Sequence, residues 1–234
     1  MRRFPLMIFA AGFGTRMGAL TADRPKPLIP VRGRPLIDHA LALAAAVPVG
    51  PVVVNLHYLG EQLAAHLAGR DVLLSWERDQ ILETGGGLKR ALRLLGAGPV
   101  MTLNPDAVWT GPNPLVTLQS AWTDGIEGLL LVAPPERLRG RATASADFVM
   151  DSAGRLRRAD GACEGVVYLG AQILQPQPVA DWPEPVFSLN RVWDRMIARG
   201  GLYGVLHSGG WCDVGSPAGI AQAEALLAEE DLGG

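Results

Sequence analysis

Apolar positions fall into short blocks that alternate between two periods. Residues 6–10 (LMIFA) form one apolar run, long enough for a single buried strand, and a glycine-rich turn follows it directly. Residues 36–46 are rich in alanine and leucine and predict a helix; residues 52–56 are β-branched and predict a strand. The alternation continues with a helix over 59–67, a strand over 72–76 and a loop over 77–84. Beyond it come a helix over 88–95 opening at Gly85-Gly86-Gly87, a strand over 100–103, a helix over 114–122 and a strand over 128–132. Strands that alternate with helices predict a Rossmann-like, doubly wound α/β sheet, mixed but mostly parallel.

From residue 134 the pattern changes. Residues 134–141 are charged and loop-like. Residues 147–150 and 155–158 flank Asp151-Ser152-Ala153-Gly154 and predict a hairpin. A strand is expected over 166–169, then a turn or short helix over 170–174. Leu189, Val192, Trp193, Met196 and Ile197 form a helical stripe over 189–199, and a late strand spans 202–206. Residues 211–215 read as a loop. A closing helix over 217–230 starts with Ser216 as N-cap and Pro217 at its first position. No internal repeat, linker or low-complexity segment interrupts this order, so one domain is expected over 1–234. The change of pattern divides that domain into a first part, about 1–132, and a second, about 133–234.

The first turn carries the chemistry. Ala11-Gly12-Phe13-Gly14-Thr15-Arg16 leaves the first strand, and Pro25-Lys26-Pro27 follows ten residues later. Glycines past a strand let the backbone approach a ligand and present N–H groups to anionic oxygens. Arg16 and Lys26 add the positive charge that a polyphosphate needs. The P-loop pattern fails, because no lysine follows the glycines. The dinucleotide fingerprint fails too, because Met17 stands where its third glycine belongs. Asp106, just past the strand at 100–103, would open into the same crevice at the strands' carboxyl ends. An aspartate there is often only a turn former; beside a phosphate loop it also suits a Mg²⁺ ligand. Asp213, between Cys212 and Val214, reads equally as a salt-bridged or capping acid and as a second ligand. The glycines at 85–87 would present N–H groups at a helix start.

Composition narrows the picture. The chain has 234 residues, is 48% hydrophobic and 19% charged, and has a net charge of −2, so nothing electrostatic favours nucleic acid as a partner. Met1-Arg2-Arg3 and the run behind it imitate a signal peptide, but the run is too short and enters glycines without a cleavage region. No stretch reaches the roughly 20 apolar residues of a membrane span. Cys163 and Cys212 lie far apart without ligand spacing and read as reduced thiols suited to a cytoplasmic protein. Lysine occurs only at 26 and 89, so Lys26 stands out against a background of arginine. The four histidines show no ligand spacing and read as surface or satisfied residues.

The order Ala10-Ala11-Gly12-Phe13-Gly14-Thr15-Arg16-Met17, Leu20-Thr21, Pro25-Lys26-Pro27-Leu28, Pro30-Val31, Gly33 and Pro35 resembles the signature of sugar-1-phosphate nucleotidyltransferases. Glu83-Thr84-Gly85-Gly86-Gly87, Phe187-Ser188-Leu189-Asn190 and Trp211-Cys212-Asp213-Val214-Gly215-Ser216-Pro217 extend the likeness. They resemble the small bacterial uridylyltransferases acting on N-acetylmuramate 1-phosphate, and mannose-1-phosphate guanylyltransferase-like chains. The resemblance implies a nucleotide-diphospho-sugar transferase fold, and a Mg²⁺-dependent reaction of a nucleoside triphosphate with a sugar 1-phosphate. It implies that Arg16 and Lys26 serve catalysis. Ala11, Gly12, Gly14, Thr15, Glu83, Gly85, Gly86 and Asn104 would bind nucleotide, and Asp106 and Asp213 the metal. Departures are Gly18-Ala19, Pro105 inside Asn104-Pro105-Asp106, and the absence of the family's Glu-Lys-Pro lysine. A cytidylyltransferase acting on phosphocholine is a further alternative. A regulatory subunit that binds nucleotide sugar without catalysis is the alternative of a different class.

Overall fold

A computed structural model describes residues 2–141, 145–161 and 164–233; Cys163 lies outside them. β1 (Phe4–Ile8) leads through a 3-10 turn over Thr15–Thr21 and a small hairpin, β2 (Pro30–Val31) and β3 (Arg34–Pro35), into α1 (Leu36–Ala45). Then come β4 (Val49–Leu56), α2 (Gly60–Leu67), β5 (Leu73–Trp76), α3 (Glu83–Leu95), β6 (Val100–Leu103), β7 (Ala107–Trp109), α4 (Pro114–Ala121) and β8 (Gly128–Ala133). The later part supplies β9 (Leu138–Arg139), the hairpin β10 (Phe148–Met150) and β11 (Leu156–Arg158), and β12 (Val167–Leu174). It ends with α5 (Gln177–Ala180), α6 (Leu189–Ala198), β13 (Leu202–Leu206), β14 (Trp211–Asp213) and α7 (Pro217–Gly233).

Seven strands form one sheet in the order β13-β8-β12-β6-β1-β4-β5. Every pairing in it is parallel except the two made by β12. Strands from residues 133–234 are therefore woven into the sheet of the first half. Alternation along β1 shows why the sheet needs helices on both sides. Leu6 and Ile8 pack with Ile37 and Ala40 of α1 and Leu115 and Leu118 of α4. Met7 points the other way, to Leu88 and Ala91 of α3 and Val192 and Met196 of α6. The expected doubly wound architecture is present.

A small sheet, β7-β14-β9, lies outside this core. Val108, Cys212 and Val214 pack there against Ala223 and Leu226 of α7 and against Met17 and Val31 of the opening turn. The closing helix thus holds the opening turn against the late aspartate segment.

Three expectations are corrected. Residues 211–213 are a strand, not a loop: with three residues there is no alternation to read, and β14 exists because β7 and β9 flank it. The turn expected at 170–174 is the second half of β12. Gly170, at φ +87°, lies in a register shift between Tyr168 and Gln172, so a glycine that reads as a turn is a bulge in a buried strand. α3 begins at Glu83, so Gly85, Gly86 and Gly87 lie inside its first turns rather than before it.

The described cysteine, Cys212, is fully buried, and its thiol is pushed up to about 12, first by burial and then by the Asp213 charge. A thiol so protonated is a poor nucleophile. Mass spectrometry after iodoacetamide treatment at pH 8 should find Cys212 unmodified in the native protein and alkylated after denaturation; rapid native alkylation would contradict this packing.

Candidate active site

The parallel pairing of β6 with β1 brings their carboxyl ends together, Ile8 beside Leu103, and both loops open at one edge. From β1 the chain turns at Ala10, whose N–H donates to Asn55 Oδ1 at 2.7 Å. Asn55 Nδ2 donates to Glu77 Oε1 at 2.7 Å, and the Leu82 N–H donates to Glu77 Oε2 at 2.8 Å. Glu77 is 1% exposed. Its carboxylate ties the start of the glycine-rich loop to the start of α3, and buried polar groups of this kind are stable only when so satisfied.

Gly14 adopts φ +65° and starts the 3-10 turn. Its carbonyl accepts from Met17 N at 2.9 Å and Thr21 Oγ1 at 3.1 Å. A Cβ there would lie 2.9 Å from Lys26 Cβ, so glycine lets the loop close onto Lys26. Lys26 Nζ donates to Asp106 Oδ2 at 2.6 Å, with only 11% of its side chain exposed.

Asp106 lies on the turn between β6 and β7. β14 pairs antiparallel with β7, setting Asp213 opposite Ala107, and Val214 N donates to the Asp106 carbonyl at 2.8 Å. The two aspartates are thereby neighbours. Burial, then the negative charge of Asp106, pushes the Asp213 carboxyl above its ordinary range, against opposing pulls from Lys26, Arg16 and Arg141. Arg16 stands 3.9 Å from Asp213 with most of its side chain in solvent. Gly12, Gly14, Thr15, Arg16, Lys26, Asp106 and Gly215 line one open cleft.

A second cleft adjoins it, and Phe9 borders both. Its wall includes Thr84, Asn104, Asp147, Arg158, Tyr168, Ser188 and Trp193. Trp193 Nε1 donates to Gln172 Oε1 at 2.9 Å, and Gln172 Nε2 donates to Thr102 Oγ1 at 3.1 Å. The Tyr168 phenol bonds to Thr102 as well, and burial raises it far above the ordinary tyrosine range. This buried network fixes a rigid floor.

The sequence-predicted residues are not all assembled. Gly12, Gly14, Thr15, Arg16, Lys26 and Asp106 share the first cleft; Asn104 faces the second. Asp213 joins the first through Arg16 and Asp106. Ala11 is buried at the start of the loop, outside both linings. Glu83, Gly85 and Gly86 border neither cleft. The N–H groups of Gly85 and Gly86 both donate to the Phe187 carbonyl, so they do not point at open space as expected. These glycines instead permit close packing: a Cβ at Gly85 would lie 2.3 Å from the Phe187 ring, and one at Gly86 2.1 Å from the Pro185 carbonyl oxygen. Asn55, Glu77, Asp147, Arg158, Tyr168 and Gln172 were not singled out by the sequence. The signal for Asn55 and Glu77 was faint but present, each being a polar residue at the end of an apolar strand. His207 also differs from expectation; it is buried beside the Trp109 ring, at 5.2 Å between centroids.

In composition the first cleft pairs two carboxylates, a lysine and an arginine with a glycine loop. Hard oxygen donors of this kind suit a divalent cation, whose charge would relieve the repulsion felt at Asp213. Among the described residues no group of three or more His, Cys, Asp or Glu side chains forms a closed metal cage. A cation here would complete its shell with ligand oxygens.

Residues 6–197 match the family described as "MobA-like NTP transferase domain". The chain belongs to that family. It is a nucleotidyltransferase. The chain is 40% identical, over 95% of its length and 96% of the relative's, to an N-acetylmuramate alpha-1-phosphate uridylyltransferase of Caulobacter vibrioides. It is 32% identical, over 94% of its length and 96% of the relative's, to the enzyme of the same name from Neisseria meningitidis. Among solved structures, a UDP-glucose pyrophosphorylase complexed with UDP-glucose superposes with a TM-score of 0.78 at 16% identity, covering 98% of this chain and all of the other. That likeness is one of fold. The nucleotidyltransferase resemblance read from the opening motif is thus correct, and no helix among the described residues is long and apolar enough to cross a membrane.

Gly215 tests the geometry. A Cβ there would lie 2.6 Å from Asp213 Oδ2 and 2.9 Å from Arg16 Nη1, so it would displace side chains and leave the backbone in place. Gly215→Ala should lower kcat/KM on the order of 10²-fold, the scale of an ångström-sized misplacement. Its melting temperature should match the wild type; a fully active variant would show that neither side chain is held where it matters.

Proposed function

We propose that this nucleotidyltransferase transfers UMP from UTP to N-acetylmuramate 1-phosphate with Mg²⁺, giving the UDP-sugar and pyrophosphate. The observation that carries this reading is the end-to-end similarity, at 40% identity, to a uridylyltransferase named for that acceptor. The cations and carboxylates of the first cleft suit the nucleotidyl transfer that this reading entails. Each role below belongs to the proposal.

Gly12, Gly14 and Thr15 cradle the triphosphate with their N–H groups, and Ala11 sets the entry of that loop. Arg16, largely exposed beside Asp213, neutralises the departing pyrophosphate. Lys26 holds the charge that builds between the α-phosphate and the acceptor phosphate. Asp106 and Asp213 would hold Mg²⁺, which would supply charge neutralisation for the phosphates. Asn104 faces the sugar end of the ligand from the β6 turn. Glu83, Gly85 and Gly86 act at the α3 start, where the two glycines seat the helix on Phe187 and Pro185; they serve nucleotide binding through that packing rather than through direct donation. The first part of the chain, about 1–132, carries the nucleotide; residues 133–234 supply most of the acceptor wall. The acceptor's phosphate oxygen attacks the α-phosphorus and pyrophosphate leaves, so side chains position and neutralise without forming a bond to substrate.

The test is pyrophosphate release with Mg²⁺, crossing UTP, GTP and CTP against N-acetylmuramate 1-phosphate, mannose 1-phosphate and phosphocholine. UTP with N-acetylmuramate 1-phosphate should be turned over best. Asp106→Asn should fold and lose roughly 10²–10³-fold in kcat, the cost of one lost transition-state contact. Another best pair would replace the substrate assignment; undiminished turnover by Asp106→Asn would remove Asp106 from the metal site.

A further inference from the structure

The acceptor just proposed carries two anionic groups: its phosphate, and a carboxylate on the lactyl ether of the sugar ring. The first cleft provides for the phosphate. The second cleft has one cationic side chain among its lining residues, Arg158, and one acidic side chain, Asp147.

The two are held differently. Asp147 is engaged by Arg141, whose Nη1 and Nη2 donate to it at 3.2 and 2.8 Å, and by the Tyr168 N–H at 3.0 Å. Both ends of the Arg141 fork are therefore closed. Arg158 is the last residue of β11, directly opposite Phe148. Its guanidinium lies 4.9 Å from the Phe148 ring centroid and 5.9 Å from that of Trp193. Nε donates to Asp194 Oδ1 at 2.8 Å and Nη2 to the Asn190 carbonyl at 3.1 Å, which leaves Nη1 without a protein partner among the described residues. Asp194 is well exposed, so water screens that ion pair and Arg158 keeps its charge for the cleft. A guanidinium locked on aromatic faces with donors left over is preorganised for a carboxylate.

We infer that Arg158 is the specificity-determining residue for the acceptor, recognising a carboxylate carried on the sugar in addition to the anomeric phosphate; this rests on the acceptor class proposed above. N-acetylglucosamine 1-phosphate has the same ring, amide and phosphate without the lactyl group, so discrimination between the two acceptors falls to this contact.

The experiment compares wild type, Arg158→Met and Arg158→Lys with each acceptor varied at saturating UTP, and with UTP varied at saturating acceptor, reading KM, or Ki by competition where turnover is slow. Arg158→Met removes the charge and the donors and keeps an apolar stem; Arg158→Lys keeps the charge. Wild type should favour N-acetylmuramate 1-phosphate. Arg158→Met should raise its KM at least 30-fold and change the value for N-acetylglucosamine 1-phosphate, and the KM of UTP, by less than threefold. Arg158→Lys should recover part of the loss. An unchanged KM in Arg158→Met, or equal losses with both acceptors, would overturn the inference and assign Arg158 to packing or to the phosphate. Wild type that ignores N-acetylmuramate 1-phosphate would instead overturn the proposed acceptor, and the inference with it.

Discussion

The contact on which this site depends joins residues eighty positions apart: the Lys26 ammonium against the Asp106 carboxylate at 2.6 Å. Lys26 is largely buried, and a buried ammonium needs a partner. Everything that places it serves that contact. Gly14 lets the phosphate loop close on it, the β1–β6 pairing brings the two loops to one edge, and the β7–β14 pairing sets Asp213 alongside. Two like charges and two cations then share a small volume, which is unfavourable for Asp213 alone and favourable for a bound polyphosphate with its cation.

That arrangement explains how a mostly parallel sheet becomes a group-transfer site. The sheet supplies rigid strand ends, and α7 clamps the small sheet against the opening turn through Met17, Val31 and Cys212. Asn55 and Glu77 form a second tie from the loop start to α3. The opening loop is thus fastened on both sides, while Arg16 stays in solvent. In the proposed reaction this puts rigidity where the phosphates bind and an exposed cation where pyrophosphate leaves.

The opening motif and the alternation of periods were legible because each depends on residues close in sequence. Lys26, Gly14 and Asp106 could be named before any geometry, and so could the sheet. β14 could not, since three residues carry no period and its partners β7 and β9 lie far off in the chain. The β12 bulge was hidden because Gly170 has the same appearance in a turn and in a buried strand. The triple glycine was misread for a related reason: open space and close packing both demand a missing Cβ, and only Phe187 and Pro185 show which applies. The wall of the second cleft was illegible as a site because Asp147 comes from the loop before β10, Arg158 from β11, Gln172 from β12 and Trp193 from α6.

The chemistry proposed for the first cleft relies on charge and position. Among the described residues that line it, Thr15 carries the one hydroxyl, there is neither cysteine nor histidine, and the Lys26 ammonium is held in its ion pair with Asp106 rather than offered as a free amine. The account therefore requires the acceptor phosphate to attack the nucleotide directly, in a single displacement. The most direct measurement is the stereochemical course at the α-phosphorus, with a chiral α-thio nucleoside triphosphate as donor. Inversion is the predicted result. Retention would mean two displacements through a covalent nucleotidyl-enzyme, and would contradict a site built only to position and neutralise.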